Sequence, residues 1–590
     1  MYKRILVYLL LIPAVLLVSS CSDVLSPANE NINELEDMYT DASYAEGFLS
    51  NAYNLMPGNG WTFTDVATDN AVTNDNSNAF RQMATGQWTA DNYPLNEWSD
   101  SRAGIQFVNI MIANADSVQW AEDEATRELF SQRMKGEAYG LRAYFMYHLL
   151  RNHAGWTGGD QGGQLLGVPI VTEPQDKDSD FQQPRNTFEE CMQQIYSDVE
   201  KARELLPVDY GNVSDPSQLP EGYGDDENDL GRFNRVFGND GRQRMSGRIA
   251  MAIKAKAALL AASPAYSAGT NTSWEDAANY AGELLALNNG VAGLAPEGAT
   301  WYDNASQISN LGSGSNPPEM IWRGNLDGGS TGLEQQHFPP TLYGNGWMNP
   351  TQDLVDAFPM QNGYPIGHPN SNYDSSNPYQ DRVPLLEEYI LVNGGTAGVN
   401  STQITTAADG NTNDALNAVE TSTRTGYYMK KLLRQDVNLD PTSTNSQVHY
   451  YPRIRYTEIY LAYAEAANEA WGPDGMGNFS FSARGVIEAI RARQGITNDQ
   501  YLQNEVASTE DMRELIRNVR RIELAFENFR FWDLRRWNME LAESADGVSI
   551  SNGNHNIITV EPRDYQPYQR FGPVPYNEVL KFGLEQNYGW

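Results

Sequence analysis

Two cysteines in 590 residues, Cys21 and Cys191, leave this chain without a disulfide framework or a thiolate metal cluster. Histidine is also scarce: six in all, His148, His153, His337, His368, His449 and His555, with no His-Glu-x-x-His pair. His148 and His153 stand five apart, which on a helix turns them to different faces. Positive charge is short as well, with 41 Lys and Arg against 76 Asp and Glu and a net charge of −35. A surface of that sign excludes nucleic-acid binding, which requires cations to displace the counterions of phosphate. The phosphate-binding Gly loop ending in Lys-Ser/Thr is missing. Paired carboxylates for glycoside hydrolysis need not lie close in sequence, so a hydrolase stays open as an alternative.

Aromatic residues are abundant, with 32 Tyr and 13 Trp, more than helix packing requires, so some are expected to face a ligand. The amino terminus is equally distinctive. Lys3 and Arg4 precede an apolar run from Ile5 to Val18, then Ser19, Ser20 and Cys21. The run is short for a spanning helix and reads as a secretory leader over 1–20. Small residues ahead of Cys21 resemble the lipobox of bacterial lipoproteins, which implies lipidation of Cys21 and firm attachment to a membrane through several acyl chains. Polar residues and Pro27 make 21–33 a tether.

The remainder, 34–590, is expected to form one mainly α domain. Over 34–287 apolar residues recur at helical spacing and the runs have clear stops. Ala45 to Met56 ends at Pro57, and further helices are expected at Trp98 to Val118 and from Asp123 through Leu149. Thr187 and Glu190 have capping-box spacing ahead of a helix that Pro207 stops. Met245 to Ala262 and Ser273 to Leu287 form the next pair. Cys191, inside such a pattern, is expected to be a small buried hydrophobe. Paired helices of this kind predict stacked hairpins resembling tetratricopeptide repeats, without their strict 34-residue signature. Between 288 and 446 Gly, Asn, Ser, Thr and Pro replace the periodicity, predicting a loop-rich insert with short strands. Closing helices and a tail follow over 447–590, with helices at Ile454 to Trp471, Ala483 to Gln494 and Met512 to Met539. On the last, Arg520, Arg521, Arg530, Arg535 and Arg536 alternate with Glu523, Glu527 and Asp533, which predicts ion pairs along one helix with Phe526, Phe529 and Trp532 turned inward. Tyr456, Tyr460 and Tyr463 are expected in the core with their hydroxyls capped.

Five stretches carry a resemblance: GEAYGLRAYFMYHLLRNHAG with GVPIVTE, PTQDLVDAFPMQNGYPI, RYTEIYLAYAEAANEAWG, RRIELAFENFRFWDLRRW and GPVPYNEV. In this order they resemble the SusD family (RagB/SusD) of outer-membrane nutrient-binding lipoproteins. YQDRVPLLEEYI departs from it in lacking a fuller Arg-Asp-Pro-Arg run, and only Asp23 follows the anchor where export signals are richer in acid. The resemblance implies a glycan-binding lipoprotein on the outer face of the outer membrane, handing oligo- or polysaccharide to a SusC-like TonB-dependent transporter, without catalysis and without a cofactor. Peptide capture on the same scaffold is the other reading that it leaves.

A glycan site needs flat aromatic faces for sugar rings and amides or charges for hydroxyls. Two loop-rich regions offer them, the same parts of the chain that carry the nutrient site in the SusD family. The first holds Trp61, Asp69, Asn70, Arg81, Trp88, Asn92 and Tyr93. The second holds Trp301, Tyr302, Trp322, Tyr343, Asn345 and Trp347. The acidic loops Asp225–Asp229 and Asp409–Asp414 have alternating oxygen ligands but lack the full Ca²⁺-loop pattern, and they read as solvated.

Overall fold

The computed structural model describes residues 35–590 apart from 59, 221–222, 224–226 and 313. The leader, Cys21 and the tether lie outside them, as do Asp225 and Asp226. Among the described residues no helix is long and apolar enough to cross a membrane.

The first half is an array of antiparallel helices. It comprises α1 (Ala42–Asn54), α2 (Trp98–Asn114), α3 (Glu124–His153), α4 (Phe188–Leu205), α5 (Glu227–Phe237), α6 (Gly247–Ala262) and α7 (Trp274–Ala286). Local chemistry sets their ends. Asp41, Asp123 and Ser246 cap α1, α3 and α6 through their side chains, and α4 starts at the Thr187/Glu190 capping box that its sequence announced. Small residues set the spacing: Gly104 of α2 lies against the Phe145 ring of α3, where a Cβ would collide. Successive helices pack in order, α1 on α2, α2 on α3, α3 on α4, α4 on α6 and α6 on α7, around one continuous core that includes the fully buried Cys191.

From 288 to 446 the chain forms short pieces, among them α8 (Gly332–His337) and several two- to four-residue strands. The array then resumes. Helix α9 (Tyr456–Trp471) packs on α7 and on α11 (Thr509–Glu523), with α10 (Ala483–Arg493) beside it. Tyr456, Tyr460 and Tyr463 are buried as expected. Tyr456 accepts from Arg248, while Tyr460 and Tyr463 donate to the carbonyls of Gly290 and Phe481.

The expected single helix from Met512 to Met539 is two. Helix α11 stops at Glu523 and α12 covers Arg530–Arg536, with Phe526 and Asn528 left-handed between them. Lys431 donates to the carbonyls of Glu523 and Ala525, and Arg455 also donates to that of Glu523, so cations from elsewhere take the oxygens a continuing helix would use. The charges accordingly pair mostly across the fold: Glu527 with Arg455 and Lys431, Glu523 with Arg493, Arg536 with Glu465, and Arg520 with Asp533 across the break.

Two antiparallel strand pairs fasten the insert to the array. Strand β1 (Ala71–Thr73) pairs with β3 (Met348–Pro350), Val72 opposite Asn349, and β2 (Met320–Arg323) pairs with β4 (Pro452–Arg455).

Candidate functional site

Pairing of β1 with β3 brings the two aromatic-rich regions together. Thr351 donates its backbone N–H to the Asn70 carbonyl at 2.9 Å and its hydroxyl to the Asp69 carbonyl at 2.6 Å. Asn74 spans the loops, its Nδ2 donating to the carbonyls of Asn345 at 2.9 Å and Gly346 at 3.0 Å. The loop that presents Tyr343, Asn345 and Trp347 is thereby held by side-chain and backbone bonds, not left as a free end.

Along this seam runs a ribbon of rings. Trp61 stacks on Phe63 at 5.9 Å between centroids and on Trp301 at 6.4 Å, Phe63 meets His337 edge-on at 4.6 Å, and His337 meets Trp347 at 6.5 Å. Trp301, Phe63 and His337 are covered. Trp61, and Trp347 at one end, keep part of their surface, as does Asn345, and Tyr343 is 56% exposed. Tyr343 holds φ +65°, a left-handed conformation that costs a bulky L residue and that a surface loop would ordinarily give to Gly or Asn. His337 is buried with neither ring nitrogen partnered among the described residues, and burial pushes its pKa down to about 3. At neutral pH it is an uncharged spacer between two rings.

Burial corrects the other candidates. Trp88 and Tyr93 belong to a core with Phe531, Tyr565 and Trp590, and the Tyr93 hydroxyl donates to the Asn152 carbonyl. Trp301, Tyr302 and Trp322 are covered, the Trp322 indole N–H donating to Gln243. Asp69 is held between Arg530 at 2.6 Å and Arg521 at 3.1 Å, and Asn70 accepts from Arg521. These two cations outweigh the upward pull of burial and keep the Asp69 carboxyl well below the usual range. Arg81 is spent on Glu561 at 2.7 Å, and exposed Asn92 closes its own turn on the Gln87 carbonyl. None of these buried rings offers a face to a ligand. A run of aromatics in loop-like sequence does not separate rings that anchor a loop from rings that the loop displays. In the Asp409–Asp414 loop, Asp409 accepts from the backbone of Asn552 and Asp414 from that of Thr341.

Beneath Trp61 opens a cleft that the sequence did not announce. Tyr144, Arg151, Lys256, Tyr451, Phe529 and Trp532 are among its walls, from segments up to some 470 residues apart in the chain. Tyr451 meets the Trp61 ring edge-on at 5.1 Å. Trp532, expected inward, keeps part of its surface here because the break before α12 turns it out of the core. Glu97 is reached by His148 at 3.0 Å and Asn152 at 2.6 Å. Burial alone would raise the Glu97 pKa, but the neighbouring His148 and Arg151 bring it below the usual range. His148 itself is pushed down to about 4 by burial, so the ring is neutral and its N–H points at the carboxylate.

Residues 318–590 match the model of the SusD family, and residues 27–220 match a family described as starch-binding and associating with the outer membrane. Solved structures agree across nearly the whole chain. A SusD-like protein from Bacteroides fragilis is similar at 21% identity and a TM-score of 0.70, covering 96% of this chain and 100% of the other. A SusD-like carbohydrate-binding protein from the same species is 20% identical with a TM-score of 0.65, covering 92% and 98%. Surface glycan-binding protein A from Bacteroides fluxus is 17% identical with a TM-score of 0.57, covering 93% and 100%. No match was found among curated protein sequences.

Proposed function

This chain belongs to the SusD family, and we propose that it is a non-catalytic lipoprotein of the outer-membrane surface that captures oligo- or polysaccharide and passes it to a SusC-like TonB-dependent transporter. The observation that carries this reading is the ring ribbon, whose accessible members, Trp61 and Trp347, sit on loops fastened to each other with Tyr343 and Asn345 alongside. Exposed flat rings beside amide groups suit the apolar faces and hydroxyls of sugars. The names of two similar structures, a carbohydrate-binding protein and a surface glycan-binding protein, support the ligand class. Lipidated Cys21 would keep this capture surface at the membrane.

Capture without hydrolysis is favoured by the carboxylates of the cleft. A retaining or inverting glycosidase needs one carboxyl held protonated by a raised pKa. Of the three carboxylates there, Glu97 and Glu527 are shifted the other way, and Glu458 is ion-paired with Lys256. For Glu527, Arg455 and Lys431 overcome the upward pull of burial.

Affinity electrophoresis of the purified protein on a polysaccharide panel, repeated with Trp61→Ala and Trp347→Ala, tests the site. Retardation in the wild type that both substitutions weaken is the expected result, with no new reducing ends in the polymer. Retardation unchanged in both variants removes these rings from the site, and release of reducing ends replaces capture by hydrolysis.

A further inference from the structure

Arg151 stands apart from Lys256 and Arg455, the ion-paired cations of the same cleft. It lies in the last turn of α3 and projects into the cleft beneath Trp61, with its guanidinium 4.7 Å from the Trp532 ring centre and 5.6 Å from that of Tyr147. In a chain with 76 acidic residues it makes no ion pair among the described residues. Among the described residues its Nε is buried without an acceptor, and its one hydrogen-bonding neighbour is Nδ1 of His148 at 3.2 Å. That nitrogen also lies 3.0 Å from Glu97 Oε2. A ring nitrogen either carries a proton or offers a lone pair, so it serves one of the two, and an ionised carboxylate is the stronger claimant. Arg151 is then left with donors and no acceptor.

Other charges in the cleft do not fill that place. Lys256 holds Glu458 at 2.6 Å, Arg455 holds Glu527 at 2.7 Å, and Glu97 is taken by His148 and Asn152. Four cations and three carboxylates line the cleft, so the balance is positive inside a strongly negative molecule. A guanidinium close to aromatic rings and without a carboxylate in hydrogen-bonding reach among the described residues suits a planar or tetrahedral oxyanion, which its fork grips through two parallel hydrogen bonds.

We propose that this cleft takes the anionic substituent of an acidic glycan, a uronate carboxylate or a sulfate ester, on Arg151, with the sugar ring against Trp61 or Trp532. The assignment rests on the carbohydrate reading above and narrows its substrate class. It also limits charge density. A surface of −35 opposes a dense polyanion, so the ligand is a chain with spaced acidic units.

Glucose, sodium glucuronate and glucose 6-sulfate share a ring and differ in charge, and their binding to the full chain is read by tryptophan fluorescence at constant ionic strength. At least one acid is expected to bind tenfold or more tightly than glucose, and which one does so identifies carboxylate or sulfate as the source. Arg151→Gln is expected to abolish the preference, and Arg151→Lys, which keeps the charge and loses the fork, to retain part of it. Circular dichroism melting of each variant establishes that it is folded. No acid preference in the wild type, whether through equal binding or through none, overturns the proposal, as does a preference that survives in a folded Arg151→Gln. The wider reading is scored separately on neutral polysaccharides: retardation there with no acid preference removes this inference alone, and retardation on no neutral or acidic polymer removes both.

Discussion

Two regions within reach of the same cleft use polar and aromatic residues in opposite ways. At the junction of α9, α11 and α12, Arg455 binds Glu527 and Glu319, Lys431 binds Glu527, and Arg536 binds Glu465 and Asp533, all of them buried. Every one of these charges is answered by another part of the fold, so the junction has little left to offer a ligand. Along the β1/β3 seam the residues are rings, whose packing needs no partner of opposite sign. A ring can be packed over part of its surface and open over the rest, and Trp61 and Trp347 are so placed. The difference teaches that a conspicuous charged motif marks architecture here, whereas the capture surface lies on residues that are individually unremarkable in sequence.

The largest expected effect breaks the junction. Glu527→Ala leaves Arg455 and Lys431 buried without their shared partner, and removing one member of a buried ion cluster costs about 3–5 kcal/mol. Urea unfolding should show that loss, and glycan retardation should fail only where the protein unfolds. A loss below about 1 kcal/mol would mean that water or a neighbour answers the two cations, and the contrast between the regions would weaken.

Acid should act on the buried imidazoles of the seam and of α3. His148 and His153 are held down to about 4 and His337 to about 3, each chiefly by burial. In the unfolded chain these rings take up protons below about pH 6.5, and in the fold they do not until pH 4 or lower. Unfolded protein therefore binds more protons in that window, and stability falls as pH falls through it, by on the order of 2 kcal/mol per ring between pH 6.5 and 4.5. Since His337 makes no side-chain hydrogen bond among the described residues, His337→Phe should match the wild type at pH 7 and flatten the fall between pH 6.5 and 4.5, measured by chemical denaturation at stepped pH. An unchanged pH slope would show that His337 is hydrated in the native state.

The helices were legible because their signals are local: the capping box of Thr187 and Glu190, and apolar stripes ended by proline, as at Pro57 and Pro207. The break before α12 was not, since it depends on Lys431 and Arg455 reaching carbonyls about 70 to 90 residues away. The same reason governs the site. Composition located the two loop regions, and their pairing through Val72 and Asn349 joins them, but whether a given ring faces in or out is decided by partners distant in sequence. Trp88 is covered by Trp590, some 500 positions later, while Trp61, in similar sequence, keeps an open part. Arg151 gave no signal because its distinction is a missing partner, which only the assembled cleft displays.

Trp61→Ala sharpens the comparison on the binding side. One stacking ring is worth about 1 kcal/mol, or roughly fivefold in Kd, so isothermal titration with the best polysaccharide of the panel should show that loss. Trp88→Ala serves as its counterpart, since removing a covered ring costs about 3–5 kcal/mol of stability instead. Equal effects of the two on affinity at matched foldedness would erase the distinction between displayed and anchoring rings.

The smallest effect tests whether the seam holds strain for the sake of display. Tyr343 is exposed over more than half its surface and sits at φ +65°, so its side chain contributes little packing while its backbone pays for the conformation. Asn tolerates that region and keeps a Cβ, so Tyr343→Asn avoids the extra unfolded-state freedom that Gly would add. Stability should rise by about 0.5–1 kcal/mol in urea unfolding while affinity for the glycan falls by a factor of two or less. A gain in stability with a loss of binding is the signature of a residue retained for its surface. Should Tyr343→Asn be destabilising, the ring is a packing element, and the displayed rings narrow to Trp61 and Trp347.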